Sequence, residues 1–213
     1  MMASKSLRVL VPGLVLPVLM SHAGGWAIVT VDALPDYVEA GKPVTLTYMV
    51  RQHGVTPVGE LDGRVEATFG RLTARGTVAP GDRVGHYRAS ITLPSAGQWS
   101  IRIRSGWPRA DVEVPPLPAV AAGTGLTRTV SDVERGERLF AAKGCVTCHA
   151  QMDVGPRLDG KRFDVAYISA FLANPPRTPS QPGRGTMPNL GLQPREIASL
   201  IVYLNSPRQL GAR

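Results

Sequence analysis

Over the first half of the chain, apolar and polar positions alternate with period two. Val44, Leu46, Tyr48 and Val50 alternate with Thr45, Thr47 and Met49. Tyr87, Ala89, Ile91 and Leu93 alternate with Arg88, Ser90 and Thr92, and Trp99, Ile101 and Ile103 with Ser100, Arg102 and Arg104. Such alternation predicts strands with one face buried and one in water. Turn-forming clusters separate them: Ala40-Gly41-Lys42-Pro43, Leu61-Asp62-Gly63, Pro80-Gly81-Asp82 and Pro94-Ser95-Ala96-Gly97. The spacing predicts about seven strands over residues 26–114, arranged as an antiparallel sandwich.

From residue 131 the apolar period becomes helical. Ser131-Asp132-Val133-Glu134 reads as a capping box, in which hydroxyl and carboxylate satisfy free amides at a helix start. Val133, Leu139, Phe140 and Ala141 give this helix an apolar stripe, and Gly144 stops it after Lys143. A second helix is expected over Asp164–Ala173, ending at Asn174-Pro175-Pro176. Pro194 opens a last helix with Ile197, Leu200, Ile201 and Leu204 as its buried stripe. Between the halves, Pro115, Pro116 and Pro118 enforce an extended path and Ala121 to Gly125 add freedom. The expected fold is multidomain: an all-β sandwich over residues 24–114, a linker over 115–130 that lets the second domain swing, with a linker packed rigidly across both domains the alternative, and an all-α domain over 131–213.

Composition changes this picture little. The chain has 213 residues, enough for two domains, and its hydrophobic content of 43% is ordinary for a globular protein. The N-terminus adds an address. Lys5 and Arg8 precede a largely apolar run from Leu7 to Met20, and Ser21-His22-Ala23 fits a small-x-small cleavage site. The run is shorter than the roughly 18 residues that cross a bilayer. Residues 1–23 are therefore expected to be a cleaved signal peptide, with retention as an anchor the alternative. No later stretch is apolar and long enough to span. The mature protein is expected to be soluble and exported, most simply to a bacterial periplasm. The net charge of +8 would suit nucleic acid, which an exported protein rarely meets. An acidic protein partner or anionic membrane surface fits better, and simple solubility explains it as well.

The candidate chemistry is concentrated in Cys145-Val146-Thr147-Cys148-His149, a C-x-x-C-H pattern. Two thiols separated by two residues can each add across one vinyl group of the same haem, and the next residue brings an imidazole beneath the iron. C-x-x-C alone also suits a redox dithiol, a disulfide or half a zinc site. A structural zinc site usually needs four ligands, and the chain has two cysteines. A thioredoxin-like dithiol starts a helix, whereas this motif follows one.

Four ordered segments carry a resemblance to class I cytochromes c. They are Glu134 to Phe140 leading through Gly144 into the C-x-x-C-H, Gly155-Pro156-Arg157-Leu158-Asp159-Gly160, Thr186-Met187-Pro188-Asn189-Leu190-Gly191-Leu192, and Arg195 to Leu204. The resemblance covers about residues 131–206. It implies one covalent haem c on Cys145 and Cys148, with His149 as an axial ligand that donates its second N–H to the Pro156 carbonyl. It also implies that the last helix crosses the first. For the sixth ligand, Met152 lies only three residues beyond His149, whereas Met187 lies 38 beyond, far enough to wrap the haem edge. A thioether opposite histidine raises the reduction potential. Tyr167, Arg162, Arg177 and Arg184 are candidate propionate contacts. The stretch Tyr87 to Trp99 resembles the last hairpin of small periplasmic immunoglobulin-like domains of the YtkA-like and FixH-like group.

A haem with both axial positions filled favours one-electron transfer over substrate chemistry. The function expected is an electron carrier rather than an enzyme, working between a redox donor and acceptor, within or beside a respiratory or dehydrogenase complex. Two alternatives stand. One is a haem enzyme or gas sensor with a labile distal ligand. The other is a metal carrier or assembly factor built on the β domain, where Met49, His53 and His86 are the available copper ligands.

Overall fold

The computed structural model describes residues 25–125, 129–152, 154–176 and 186–207. The expected signal peptide lies outside them, as do Arg177 and Arg184. No helix among the described residues is long and apolar enough to cross a membrane.

The first unit is β-rich. Its strands are β1 (Ala27–Val31), β2 (Val38–Glu39), β3 (Pro43–Gln52), β4 (Thr56–Pro57), β5 (Arg64–Phe69), β6 (Leu72–Pro80), β7 (His86–Thr92), β8 (Gly97–Arg104) and β9 (Asp111–Val120). They are hydrogen-bonded in the order β1-β3-β7-β6-β5-β8-β9-β2, with β4 beside β3. The first half of β6 pairs with β5 and the second half with β7, so the sheet has two arms joined through this strand. The inward rows are those the alternation predicts: Leu46, Tyr48 and Val50 from one arm meet Trp99, Ile101 and Ile103 from the other in a single core. Every described pairing is antiparallel except β2 with β9.

The last strand runs further than the prolines suggest. Pro115, Pro116 and Pro118 all lie within β9. The ladder to β8 slips between Trp99 and Ile101, opposite the Pro115-Pro116 pair. An irregularity of this kind is where a strand tolerates residues without an N–H. It also leaves the Pro116 carbonyl to accept a 3.0 Å bond from Arg138 Nε.

The second unit has three α-helices, α1 (Asp132–Ala142), α2 (Val165–Ala173) and α3 (Pro194–Leu204), and a π-helical turn at Thr147–Gln151. Ser131 caps α1 in a complete capping box. Asp164 caps α2 through the Tyr167 N–H at 2.8 Å, and Glu196 accepts from the Gln193 N–H at 2.9 Å to close the start of α3. Helices α1 and α3 cross at Gly136, where a Cβ would stand 2.1 Å from the Ser199 carbonyl oxygen. Only the missing side chain lets the backbones approach so closely.

The two units are fastened together rather than loosely strung. Helix α1 packs on β9 and β1. Strand β1 is buried on both faces: Ala27, Val29 and Val31 belong to the β core, while Ile28 and Thr30 face the helical unit. Ala142 of α1 is part of the β core. Lys143, only 4% exposed, donates to the Asp32 carbonyl at 2.6 Å and pairs with Glu196 at 2.9 Å. Arg135 grips Asp36 with two nitrogens, at 2.9 and 3.0 Å. The expected swinging tether is replaced here by a buried, charge-assisted seam.

Candidate functional site

The C-x-x-C-H segment follows the α1 C-terminus by way of Gly144. Its backbone departs from α-geometry and widens into the π-turn that carries Cys148 and His149. Such turns are rare in proteins and frequent at functional sites. Cys145 and Cys148 are free, half-buried thiols. Burial pushes Cys145 up to about 12 and Cys148 up to about 11. At neutral pH both hold their protons, which disfavours the thiolate chemistry of a redox dithiol.

His149 is also desolvated. Burial lowers its pKa, opposed by the hydrogen bond to Pro156 and reinforced by the Lys161 charge. Its Nδ1 lies 2.8 Å from the Pro156 carbonyl oxygen. Since a carbonyl only accepts, Nδ1 carries the proton and the Nε2 lone pair is free. Gly155 N–H donates to the Cys148 carbonyl at 3.0 Å and ties the following loop back to the π-turn.

These residues open into a cleft of about 270 Å³. Cys145, Cys148 and His149 lie on its wall together with Met187 and Pro188 of the loop before α3. Helix α2 contributes Tyr167, Ile168, Phe171 and Leu172, and the remaining lining is mainly apolar. This donor set fits an iron porphyrin. It offers two thiols for vinyl groups, one neutral imidazole with a free Nε2, one soft thioether, and apolar walls for the macrocycle. If haem is bound there it supplies one-electron redox chemistry, and the chain supplies the attachment, axial donors and shielding.

The family comparison agrees with this geometry. Residues 131–204 match the family model described as cytochrome C oxidase, cbb3-type, subunit III. This match supports a C-terminal cytochrome c domain. Domains of this family carry haem for electron transfer. Among solved structures, the ZirS C-terminal domain is similar at 17% identity and a TM-score of 0.35, covering 56% of this chain and 87% of that one. Domains 4 and 5 of the S-layer protein SbsC are 23% identical with a TM-score of 0.33, covering 44% and 51%. MtrC from Shewanella baltica OS185 is 16% identical with a TM-score of 0.27, covering 69% and 33%. Scores this low assign no fold to the β unit. No curated relative matches the chain.

Of the other sequence candidates, Met152 follows the π-turn and is not part of the cleft wall. Tyr167 lines the cleft and is 64% exposed, at its open side. Arg162 is exposed and away from the lining. In the β unit, Met49 and His86 are cross-strand partners, while His53 lies in the turn after β3 with its ring against Trp26. Among the described residues, no three His, Cys, Asp or Glu side chains gather into a metal site.

Two lining residues had no place in the sequence-based expectation. Trp26 and Ile28 come from the β unit, more than a hundred residues from the C-x-x-C-H, and they wall the same cleft. The available signal was β1 itself. Ala27-Ile28-Val29-Thr30-Val31 is nearly all apolar rather than alternating, as expected for a strand covered on both faces.

Proposed function

We propose that this protein is a periplasmic c-type cytochrome that moves single electrons through one covalently attached haem. Cys145 and Cys148 hold the haem by thioether bonds, His149 Nε2 binds the iron, and Met187 Sδ fills the sixth position. The observation that carries this reading is the convergence of all four side chains on one apolar cleft. A haem held by His149 and Met187 together would supply one-electron redox chemistry and leave no open position for substrate. The Pro156 carbonyl fixes the histidine tautomer and makes the imidazole a better donor. The partners are a redox donor and acceptor, in keeping with a subunit or satellite of a respiratory or dehydrogenase complex, and the basic surface suits acidic partners.

The test is direct. Expressed with its own leader in a host that matures c-type cytochromes, the protein should be recovered from the periplasm. Its haem should stay on the chain in a denaturing gel and titrate as a one-electron couple. Cys145→Ser with Cys148→Ser should abolish the covalent haem. Met187→Ala should lower the potential and open the iron to carbon monoxide. A wild-type protein that binds carbon monoxide rapidly would sink the carrier reading in favour of a sensor or enzyme.

A further inference from the structure

We infer that the β unit supplies a positioning residue for the sixth-ligand loop: Trp26, propped by the turn at His53-Gly54, is a backstop that keeps Pro188, and through it Met187, at the haem cleft. The inference rests on the reading of Met187 as the iron ligand.

The loop needs such a support. Thr186 to Leu192 belongs to no helix or strand. Its described hydrogen bonds lie at its far end, from the Gly191 N–H to Asn189 Oδ1 at 2.9 Å and from the Gln193 side chain to the Gly191 carbonyl at 3.4 Å. Met187 is only partly buried against the helical core. Among the described residues, packing is what holds the methionine in place. Part of that packing comes from the β unit, where the Pro188 ring lies beside Gly54.

Trp26 is well fixed for this role. Its carbonyl accepts from the His53 N–H at 2.9 Å, and the carbonyl of its neighbour Gly25 accepts from Trp107 Nε1 at 3.1 Å. The His53 ring meets the indole edge-on, with centroids 5.7 Å apart. His53 and Gly54 both have left-handed backbones, with φ of 53° and 74°, and the Val55 N–H donates to the Gln52 carbonyl at 3.1 Å to close a tight turn. A left-handed backbone is unfavourable for a residue that carries a side chain. The two contacts to Trp26 are what the strained turn secures.

The turn also brings the two rings together. Gly54 is buried, and both Trp26 Cη2 and the Pro188 ring approach to 3.5 and 3.7 Å of the point where its side chain would begin. Trp26, Pro188 and Met187 all line the haem cleft. An indole anchored at its backbone and touching the same surface as Pro188 limits how far the loop can swing outward. With Met187 as the iron ligand, outward movement of that loop would release it and admit another ligand.

The experiment compares full-length, haem-loaded wild type with Trp26→Phe, Trp26→Leu and Trp26→Ala. The readouts are the methionine-to-iron charge-transfer band of the ferric protein and its affinity for added imidazole. The wild type should show the band. Trp26→Ala should weaken it and bind imidazole about tenfold more tightly, the shift that about 1.4 kcal/mol of lost packing produces. Trp26→Leu should be intermediate, and Trp26→Phe should recover most of the wild-type behaviour. The phenylalanine and leucine variants give the comparison if the alanine variant does not fold. Wild-type band strength and imidazole affinity in all folded variants would overturn the inference. A wild type without the band would instead overturn the assignment of Met187, which separates the two failures.

Discussion

The two units bury their side chains in different ways. In the β unit, Trp99, Tyr48, Leu46, Ile101, Ile103 and Leu117 are fully buried and touch one another across the two arms of the sheet. In the helical unit the buried cluster is Leu139, Ile168, Leu172, Ile197, Leu200 and Ile201. Phe140, Phe163, Phe171, Met187 and Leu192 are only partly covered around the cleft. The first core is complete from the chain's own side chains. The second is arranged around the cleft, and a haem held there would be a structural element of that unit as well as its redox centre. A small domain buries little apolar surface of its own, so such a group would add a large share of its core.

The sharpest way to break this contrast is to withhold the haem. Cys145→Ser with Cys148→Ser, purified without cofactor, should lose most of its helical circular dichroism near 222 nm, roughly the signal expected from the three α-helices. Amide exchange should stay slow in β3, β7 and β8. If the helices persist with native protection, the helical core is self-sufficient and the contrast fails.

The next largest effect is confined to the other unit. Trp99 is 0% exposed, and its Nε1–H donates to the Ser95 carbonyl at 2.9 Å. Trp99→Ala leaves a cavity and an unpaired acceptor, and should cost about 3–5 kcal/mol of β-unit stability in denaturant unfolding. The reduction potential should not move while the β unit remains folded, because Trp99 does not line the cleft. A potential shift in a folded Trp99→Ala protein would mean that the two cores are not independent.

The same contrast explains what could be read from the sequence. The strands containing Leu46, Tyr87 and Trp99 were legible because each has one dry and one wet face, which writes a period of two into the chain. The haem motif was legible because covalent attachment fixes its spacing within five residues. Helix α1 was legible through Ser131 and Glu134. The contribution of Trp26 was not, since a wall built by distant tertiary contact leaves no local period. The extension of β9 was hidden because proline normally argues against a strand, and only the slipped ladder opposite Pro115 and Pro116 admits it. The seam was hidden for a related reason: nothing local marks Arg138, or Lys143 at the end of α1, as buried charges, yet both are buried against the β unit.

That seam is where the two regions meet, and it supplies the smallest effect and the most specific one. Asp36 receives both guanidinium bonds from Arg135, which also pairs with Asp132, and Arg195 lies 3.4 Å away. The bond from Arg135 is the main reason the Asp36 pKa is lowered, with burial acting against it and the charges of Arg135, Arg195 and Arg138 adding to it. A carboxyl depressed in the folded state stabilises above its unfolded pKa of about 3.9, and that contribution is lost as pH falls through the lower folded value. Asp36→Asn keeps the shape and removes the charge. At pH 7 it should destabilise the holoprotein by about 1–2 kcal/mol, the range for a partly exposed, charge-assisted pair. The gap between variant and wild type should narrow as pH falls below the unfolded value of about 3.9 and close once the pH has passed the lower folded value, where wild-type Asp36 is itself neutral. Urea unfolding of both proteins across that range measures it. A gap that stays constant with pH would show that Asp36 holds the units together by shape and neutral hydrogen bonding, with its charge idle.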